Sequence, residues 1–488
     1  MIPSQSGNPT ARENAQLEAL LHPKSVAVLG ASQDPAKLVG KPIFFMQQHK
    51  FGGKIYPINP KYKEISSLPC YPSLAQVPGE IDVVVIGLPA ESVLDGVKEC
   101  AERKVKSVIV FASGFAEIGG KGVKMEEEVR DLAKRAGLIL CGPNCQGVVN
   151  IHEGATLSFT AALERKQLLP GKIAFVTQSG AMGGSLFSNA MQLGIGFSYW
   201  ISSGNEAALE SADYIHYLAQ DPKTSVILNY SEGFRDRDKY IRAAEAARQA
   251  GKPIVALRVG RTAVGRKAAH AHTGAVSGPD PEVEALFQRL GILRVEDGDE
   301  LLEVGHVLAQ GRFPKGKNVG ILSTSGGAGA LIADQCEMAK LEVPELRGHT
   351  REEYVQLLPY FGSALNPVDT TAMFSQFLAK DSEYFKKLLR PMVKEKSVHS
   401  IILMITMSTG ERAKKMARDL VEIYQETDKP IVVSWIAGNL AEEGYQILRQ
   451  AGIPLFMNTK KSAQAIRALI QYTELREKAQ ARYTQPQK

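Results

Sequence analysis

Short runs of apolar residues alternate along this chain with longer segments whose apolar positions recur at helical spacing. The first runs are Ser25-Val26-Ala27-Val28-Leu29-Gly30, Lys54-Ile55-Tyr56-Pro57-Ile58 and Asp82-Val83-Val84-Val85-Ile86-Gly87. Ser107-Val108-Ile109-Val110-Phe111 and Leu138-Ile139-Leu140-Cys141 follow. Runs this short and this continuously apolar suit strands covered on both faces, and the amphipathic segments between them supply the covering helices. The pattern predicts one doubly wound, nucleotide-binding-type domain over residues 1–150.

The alternation resumes at Lys172-Ile173-Ala174-Phe175-Val176 and Ser225-Val226-Ile227-Leu228-Asn229-Tyr230. After a Pro/Gly/Lys linker, Phe313 to Lys317, it starts again at Asn318-Val319-Gly320-Ile321-Leu322-Ser323. Ser400-Ile401-Ile402-Leu403-Met404 and Pro430-Ile431-Val432-Val433-Ser434 continue it. The two blocks begin alike: Phe175-Val176-Thr177-Gln178-Ser179-Gly180 matches Ile321-Leu322-Ser323-Thr324-Ser325-Gly326. Each is a strand, a Ser-Gly turn and a small-residue helix start, the signature of a repeated unit. The expected fold class is α/β, with three consecutive doubly wound parallel-sheet domains. A Rossmann-like domain (1–150) precedes two flavodoxin-like domains (151–310 and 311–488). The charged tail after Leu475 is expected to fray.

Charge narrows the picture only slightly. The 58 basic and 52 acidic side chains of the 488 residues leave a net charge of +6. That excess suits a binder of phosphate-bearing small molecules, or an ordinary solvated surface, and is too dispersed for nucleic acid. The five cysteines, Cys70, Cys100, Cys141, Cys145 and Cys336, show no zinc-site spacing, and their odd, sparse number points to a reducing compartment. No metal site is expected in this chain. No apolar run reaches the ~20 residues that span a bilayer, and Met1 to Glu18 lacks the apolar core of a signal peptide. A cytoplasmic protein is expected.

Candidate chemistry sits at the strand ends. Gly30-Ala31-Ser32 closes the first strand, where glycine lets a phosphate approach the backbone. The turn lacks the GxGxxG fingerprint, and the second strand is followed by Asn59-Pro60-Lys61 where a dinucleotide site wants an acid. Lys61 suits a phosphate better than a ribose hydroxyl, so NAD is disfavoured against another phosphorylated adenosine ligand; a bare βα turn is the plainer alternative. Gly142-Pro143-Asn144-Cys145 follows the last strand of the first block, at the mouth of the crevice or as a simple turn. Gln178-Ser179-Gly180 would aim hydroxyl and amide donors at a phosphoryl group, a contribution of about 0.3–1 kcal/mol from the dipole alone. Glu232 follows the strand ending at Tyr230 and could orient an imidazole, or simply be solvated. Gly260 to Gly274 reads as a glycine-rich, basic loop after the strand Pro253 to Leu257, presenting His270 and His272 among Ala268, Ala269 and Ala271.

In order along the chain, these motifs resemble the CoA-ligase superfamily that includes succinyl-CoA synthetase and the ADP-forming acetyl-CoA synthetases. The likeness is closest to the α subunit of ADP-forming acyl-CoA synthetases and runs from about Ser25 to Glu474. It is carried by Gly30-Ala31-Ser32, Tyr56-Pro57-Ile58-Asn59-Pro60, Ser113-Gly114-Phe115 and Gly142-Pro143-Asn144-Cys145. Gln178-Ser179-Gly180, Ser203-Gly204-Asn205-Glu206, Glu232-Gly233, His272-Thr273-Gly274 and Asn366-Pro367-Val368-Asp369 complete it.

The resemblance implies CoA binding by Gly30, Ala31, Ser32, Lys61, Pro89, Ser113, Gly114, Asn144 and Cys145. It implies phosphate binding by Gln178, Ser179, Gly180, Gly204 and Asn205, and a phosphohistidine relay through His272 with Glu232 as its partner. Acyl-CoA, phosphate and ADP would interconvert with acid, CoA and ATP. The family usually has serine before the histidine, where this chain has Ala271. No segment reads as an ATP-grasp module, so a separate β subunit holding ADP or ATP with Mg²⁺ is expected, in a hetero-oligomer. The alternative from another class is a non-catalytic CoA- or acyl-CoA-binding scaffold or sensor, against which Glu232 and His272 argue.

Overall fold

The computed structural model describes the backbone of residues 11–273 and 279–484, and not the side chains of residues 11, 270–273, 375 and 479–484. The chain forms two compact units. One comprises Met1–Gln192 and Gly196–Leu302, the other Leu193–Ile195 and Glu303–Lys488.

The first unit holds two sheets. In the first, Lys54–Ile58, Ser25–Leu29, Val83–Ile86, Ser107–Val110 and Ile139–Cys141 lie side by side in that order, all parallel. Every residue of the strands Ser25–Leu29, Val83–Ile86 and Ser107–Val110 is buried, as their unbroken apolar runs require. In the second sheet, Leu293–Val295, Ile254–Arg258, Val226–Ser231, Pro170–Thr177 and Phe197–Ser202 are parallel. An antiparallel hairpin, Gly147–Asn150 with Ala155–Ser158, extends this sheet beyond Phe197–Ser202. Thus Gly147–Asn150 is hydrogen-bonded into the second sheet only a few residues after the chain leaves the first.

The second unit has one parallel sheet, ordered Val368–Asp369, Val319–Ser323, Ser400–Thr406, Ile431–Ile436 and Leu455–Phe456. Leaving aside the short hairpins, the parallel strands of all three sheets run 2-1-3-4-5 in their own order of appearance. Each therefore has its topological switch point between its first and third strands, the place where open α/β sheets bind ligands. The likeness of the two Ser-Gly turns extends to their hydrogen bonds. Thr177 Oγ1 donates to the Ser179 carbonyl at 2.8 Å, and Ser323 Oγ donates to the Ser325 carbonyl at 2.7 Å.

Two expectations are corrected. The segment expected as a histidine-bearing loop is a helix over Ala263–Thr273: Thr262 Oγ1 accepts the Gly265 N–H and starts it, and alanines favour its continuation. The tail expected to fray after Leu475 continues the helix Thr459–Thr484. Its inner stretch buries Ile466, Leu469, Ile470 and Tyr472, so packing carries a helix that charge alone would not. Among the described residues no helix is long and apolar enough to cross a membrane.

Candidate active site

The first sheet presents its carboxyl-end loops as a glycine-lined edge. Gly30 follows Ser25–Leu29 with φ 86°, and a Cβ there would lie 3.1 Å from the Gly87 carbonyl, so only glycine lets these two loops close on each other. The Asn59 side chain donates to the Ala31 carbonyl at 2.8 Å and its Oδ1 accepts the Lys61 N–H at 3.0 Å, tying the second loop to the first. Lys61, Pro89 and Ser113 are exposed, Ser32 is buried and Gly114 is half-buried. These sequence-predicted residues converge on one edge because their strands are parallel neighbours.

Cys145 behaves differently. Its thiol donates to the Val110 carbonyl at 3.4 Å and lies 4.0 Å from the Cys141 sulfur, inside the core. Burial pushes its pKa up, with the neighbouring Cys141 adding to the rise. All five cysteines are free and buried. The Cys145 thiol is thus turned into the core.

A clasp joins the two sheets. Asn205 N–H donates to the Pro143 carbonyl at 2.9 Å and Ala207 N–H to the Gly142 carbonyl at 3.0 Å. The Asn205 amide nitrogen reaches Glu117 at 2.5 Å and Glu126 at 2.8 Å, while its oxygen accepts from Asn144 Nδ2 at 3.1 Å. Arg235 donates to the Asn205 carbonyl and stands 3.5 Å from Glu126. Asn205, expected to hold phosphate, thus uses its side chain to bind acids and Asn144. Burial would raise the Glu117 carboxyl, but hydrogen bonds from Asn205 and from the Gly114 and Phe115 amides hold it below the usual carboxylate range. Glu117 and Glu126 are missed by sequence reasoning: the only signal is an acid soon after Gly114-Phe115, and nothing in the sequence pairs it with residue 205.

At the switch point of the second sheet, Gln178 follows Pro170–Thr177 and Glu232 follows Val226–Ser231. Gln178 N–H donates to the Tyr230 carbonyl at 3.1 Å. The Gln178 side-chain oxygen accepts the Glu232 N–H at 2.5 Å and the Gly233 N–H at 3.1 Å; its nitrogen donates to the Gly233 carbonyl at 3.0 Å. Gln178 therefore fixes the loop that carries Glu232, a role the sequence did not disclose. Glu232 is buried. Behind them lies Glu206, whose carboxylate accepts from Ser203 Oγ at 2.7 Å and from the Ser211 amide at 2.9 Å. Burial raises the Glu206 pKa against the pull of hydrogen bonds from Ser211, Ser203 and Gln178. Ser179 Oγ accepts the Met182 N–H at 3.4 Å, and the helix Gly180–Gln192 starts there, with Gly180 half-buried.

The helix Ala263–Thr273 follows Ile254–Arg258, the neighbour of the strand that delivers Glu232. Its last turns carry His270 and His272, whose side chains lie outside the described residues, as does Gly274 entirely. Gly204, with φ 63°, is packed so closely that a Cβ would fall 2.3 Å from the Pro143 carbonyl oxygen.

Three family models match the chain in series: a CoA binding domain over residues 24–151, a succinyl-CoA ligase like flavodoxin domain over 170–308 and a ligase-CoA domain over 319–478. The α subunit of acetate–CoA ligase (ADP-forming) II from Pyrococcus furiosus is 32% identical over 459 residues, covering 93% of this chain and 97% of that one. The chain belongs to the ADP-forming acyl-CoA synthetase family. Acetate–CoA ligase (ADP-forming) I of Archaeoglobus fulgidus is 33% identical over 94% of this chain, which spans 64% of that longer relative. In structure, the chain is similar to an acetyl-coenzyme A synthetase of Ca. Korarchaeum cryptofilum in complex with phosphate and ADP. The TM-score is 0.88 at 29% identity, covering 96% of this chain and 99% of that one.

Proposed function

We propose that this chain is the CoA-binding, phosphohistidine-bearing α subunit of an ADP-forming acid–CoA ligase. The observation that carries the reading is the pairing of Gln178 with the Glu232 loop at the switch point of the second sheet, beside the strand that leads into the His272 helix.

In the acyl-CoA-consuming direction, a phosphate oxygen attacks the thioester carbonyl. The C–S bond breaks and CoA leaves as thiolate. The neutral His272 imidazole then attacks phosphorus; the P–O bond to the acyl group breaks, and its electron pair leaves with the carboxylate. The Glu232 carboxylate stabilises the positive charge that appears on the ring, and donors near Ser179 and Gly180 hold the phosphoryl oxygens. An ADP oxygen finally takes the phosphoryl group from nitrogen, giving ATP and restoring the imidazole.

CoA is assigned to the first-sheet edge at Gly30, Ala31, Ser32, Lys61, Pro89, Ser113, Gly114, Asn144 and the Cys145 backbone. Phosphate is assigned to Gln178, Ser179 and Gly180. Gly204 and Asn205 serve that site by fixing the clasp. Nucleotide and Mg²⁺ are assigned to an ATP-grasp module on a partner β subunit, a reading supported by the similarity to a relative that is itself an α subunit.

The test is to mix the purified chain with acetyl phosphate, or with acetyl-CoA and phosphate, and to map the phosphopeptide. An acid-labile, base-stable phosphate on His272 is expected. CoA binding without any phosphorylation, even with an ATP-grasp partner present, would overturn the relay.

A further inference from the structure

A cleft of about 480 Å³ opens in the first unit, where the helix Ala11–Leu21 meets the end of the helix Lys121–Ala136 and the start of the strand Ile139–Cys141. The stretch 207–209 forms another wall, held along that strand by the Leu209 N–H, which donates to the Leu140 carbonyl at 3.1 Å. Cavities of roughly 300–1,000 Å³ hold small-molecule ligands. None of the residues assigned above to CoA or phosphate lines this one. They follow the carboxyl ends of their strands, whereas the cleft begins at Gly137 and Leu138, before the amino end of the last strand.

The floor is apolar. Leu17, Leu138, Leu140 and Leu209 line it and are buried, with Ala207 and Ala208 half-buried beside them. The rim is basic: Arg12, Arg130, Lys134 and Lys239 stand there against two acids, Glu13 and Asp213. Lys239 is held by Asp213 at 2.8 Å, and Arg130 by Asp131 at 3.0 Å. Arg12 donates to the Gly137 carbonyl at 3.3 Å and, like Lys134, has no ion pair among the described residues. The carboxyl end of a helix attracts cations, but this one is already closed. The Gly137 and Leu138 N–H groups donate to the Lys134 and Ala133 carbonyls at 3.1 and 2.9 Å, and Gln16 Nε2 donates to the Gly137 carbonyl at 2.6 Å. Arg12 moreover stands in the first turn of its own helix, where the dipole disfavours a cation. The two charges therefore exceed what the backbone asks of them, and both border an apolar floor.

We propose that this cleft is a second ligand site, one that takes an amphipathic organic monoanion. The ligand's carboxylate meets Arg12 and Lys134, and its apolar body covers the leucine floor, removing that surface from water. A polyanion fits less well, because Glu13 and Asp213 stand on the same rim. A small anion without an apolar body would leave the floor uncovered. The site stands apart from the phosphohistidine relay and does not depend on it.

The test is ligand-observed NMR of hexanoate with the full chain, set against hexanamide and inorganic phosphate. Hexanoate should bind, and the Arg12→Glu/Lys134→Glu pair should weaken it by about tenfold or more, the scale of one lost charge-assisted hydrogen bond. Both side chains are exposed, so the reversal leaves the core packing intact. Arg135→Glu, next to Lys134 but outside the cleft, should stay within about twofold of wild type, since solvent and salt screen its charge. Hexanamide and phosphate should each bind at least about tenfold more weakly than hexanoate. Hexanoate binding unmoved by R12E/K134E, or weakened as much by R135E, would overturn the site. Phosphate or hexanamide binding as tightly as hexanoate would overturn the amphipathic anion as its ligand. No hexanoate binding in the millimolar range would overturn the proposal outright.

Discussion

Gln178 grips the backbone of Glu232, accepting its N–H at 2.5 Å, and closes the ring by donating to the Gly233 carbonyl at 3.0 Å. Replacing Gln178 with Ala removes three hydrogen bonds from one loop and leaves two buried amides unpaired. Turnover should drop roughly 10–100-fold, the usual scale for groups that orient a catalytic side chain. CoA affinity, which the proposed assignment places on the other sheet, should hold. Steady-state kinetics with an ATP-grasp partner and CoA titration separate the two; an unchanged kcat would remove Gln178 from the machinery.

His272→Asn should abolish phosphate uptake from acetyl phosphate with CoA binding intact, whereas His270→Asn should be mild. Equal loss in both would exclude a single relay histidine. Glu232→Gln should slow transfer more than about tenfold, since one good transition-state interaction contributes about 2–4 kcal/mol.

Gly204→Ala tests the clasp. The backbone there has φ 63°, and the added methyl would meet the Pro143 and Asn144 carbonyl oxygens at 2.3 and 2.6 Å. Neither carbonyl can retreat cheaply, because the Pro143 oxygen also accepts the Asn205 N–H. We expect a loss of about 2–4 kcal/mol in the first unit, seen as an earlier denaturant transition. A wild-type transition would mean that the loops can part.

Glu210 gives the fold a pH dependence of its own. It caps the helix Ser211–Gln220, and burial lifts its pKa from 4.5 to about 7, only partly opposed by Lys239. A carboxyl whose folded pKa lies above its unfolded value favours folding most at low pH. Its contribution is complete below pH 4.5 and is lost as pH rises to about 7. Melting of the first unit should therefore fall from pH 5 to pH 8 more steeply in wild type than in Glu210→Gln. Parallel curves would contradict the assignment.

Asn366 belongs to the Asn-Pro-Val-Asp motif that helped mark the family, yet its work is structural. Its oxygen accepts the Ile321 N–H at 2.9 Å, and its nitrogen donates to the Val319 and Pro344 carbonyls at 2.7 and 3.0 Å. It therefore supplies pairing along the strand Val319–Ser323. Asn366→Ala should destabilise the second unit by about 2–3 kcal/mol, measured by denaturation, while CoA affinity of the first unit stays constant.

The sequence by itself determined the strands, because an unbroken apolar run such as Val83-Val84-Val85-Ile86 has no stable place except between two layers of helices. It also determined the family, since ordered short motifs survive where single ones are ambiguous. The Ser-Gly turns at 179–180 and 325–326 were legible as copies, and their matching hydrogen bonds follow from local chemistry. Helix against loop at residues 263–273 was misjudged because the glycines and basic residues masked a run of good helix formers.

Only the tertiary structure decided which distant residues meet. Asn205 looked like a phosphate ligand until Glu117 and Glu126, far away in the chain, took its donors. Cys145 looked like a crevice residue until its thiol turned into the core. Gln178 and Glu232 are separated by two helices and the strand Phe197–Ser202; strand order 2-1-3-4-5 brings them to one switch point. Local propensity and periodicity are written along the chain. Partnership between buried polar groups depends on strand order and register, which arise when the sheets assemble and each donor competes for the acceptors then within reach.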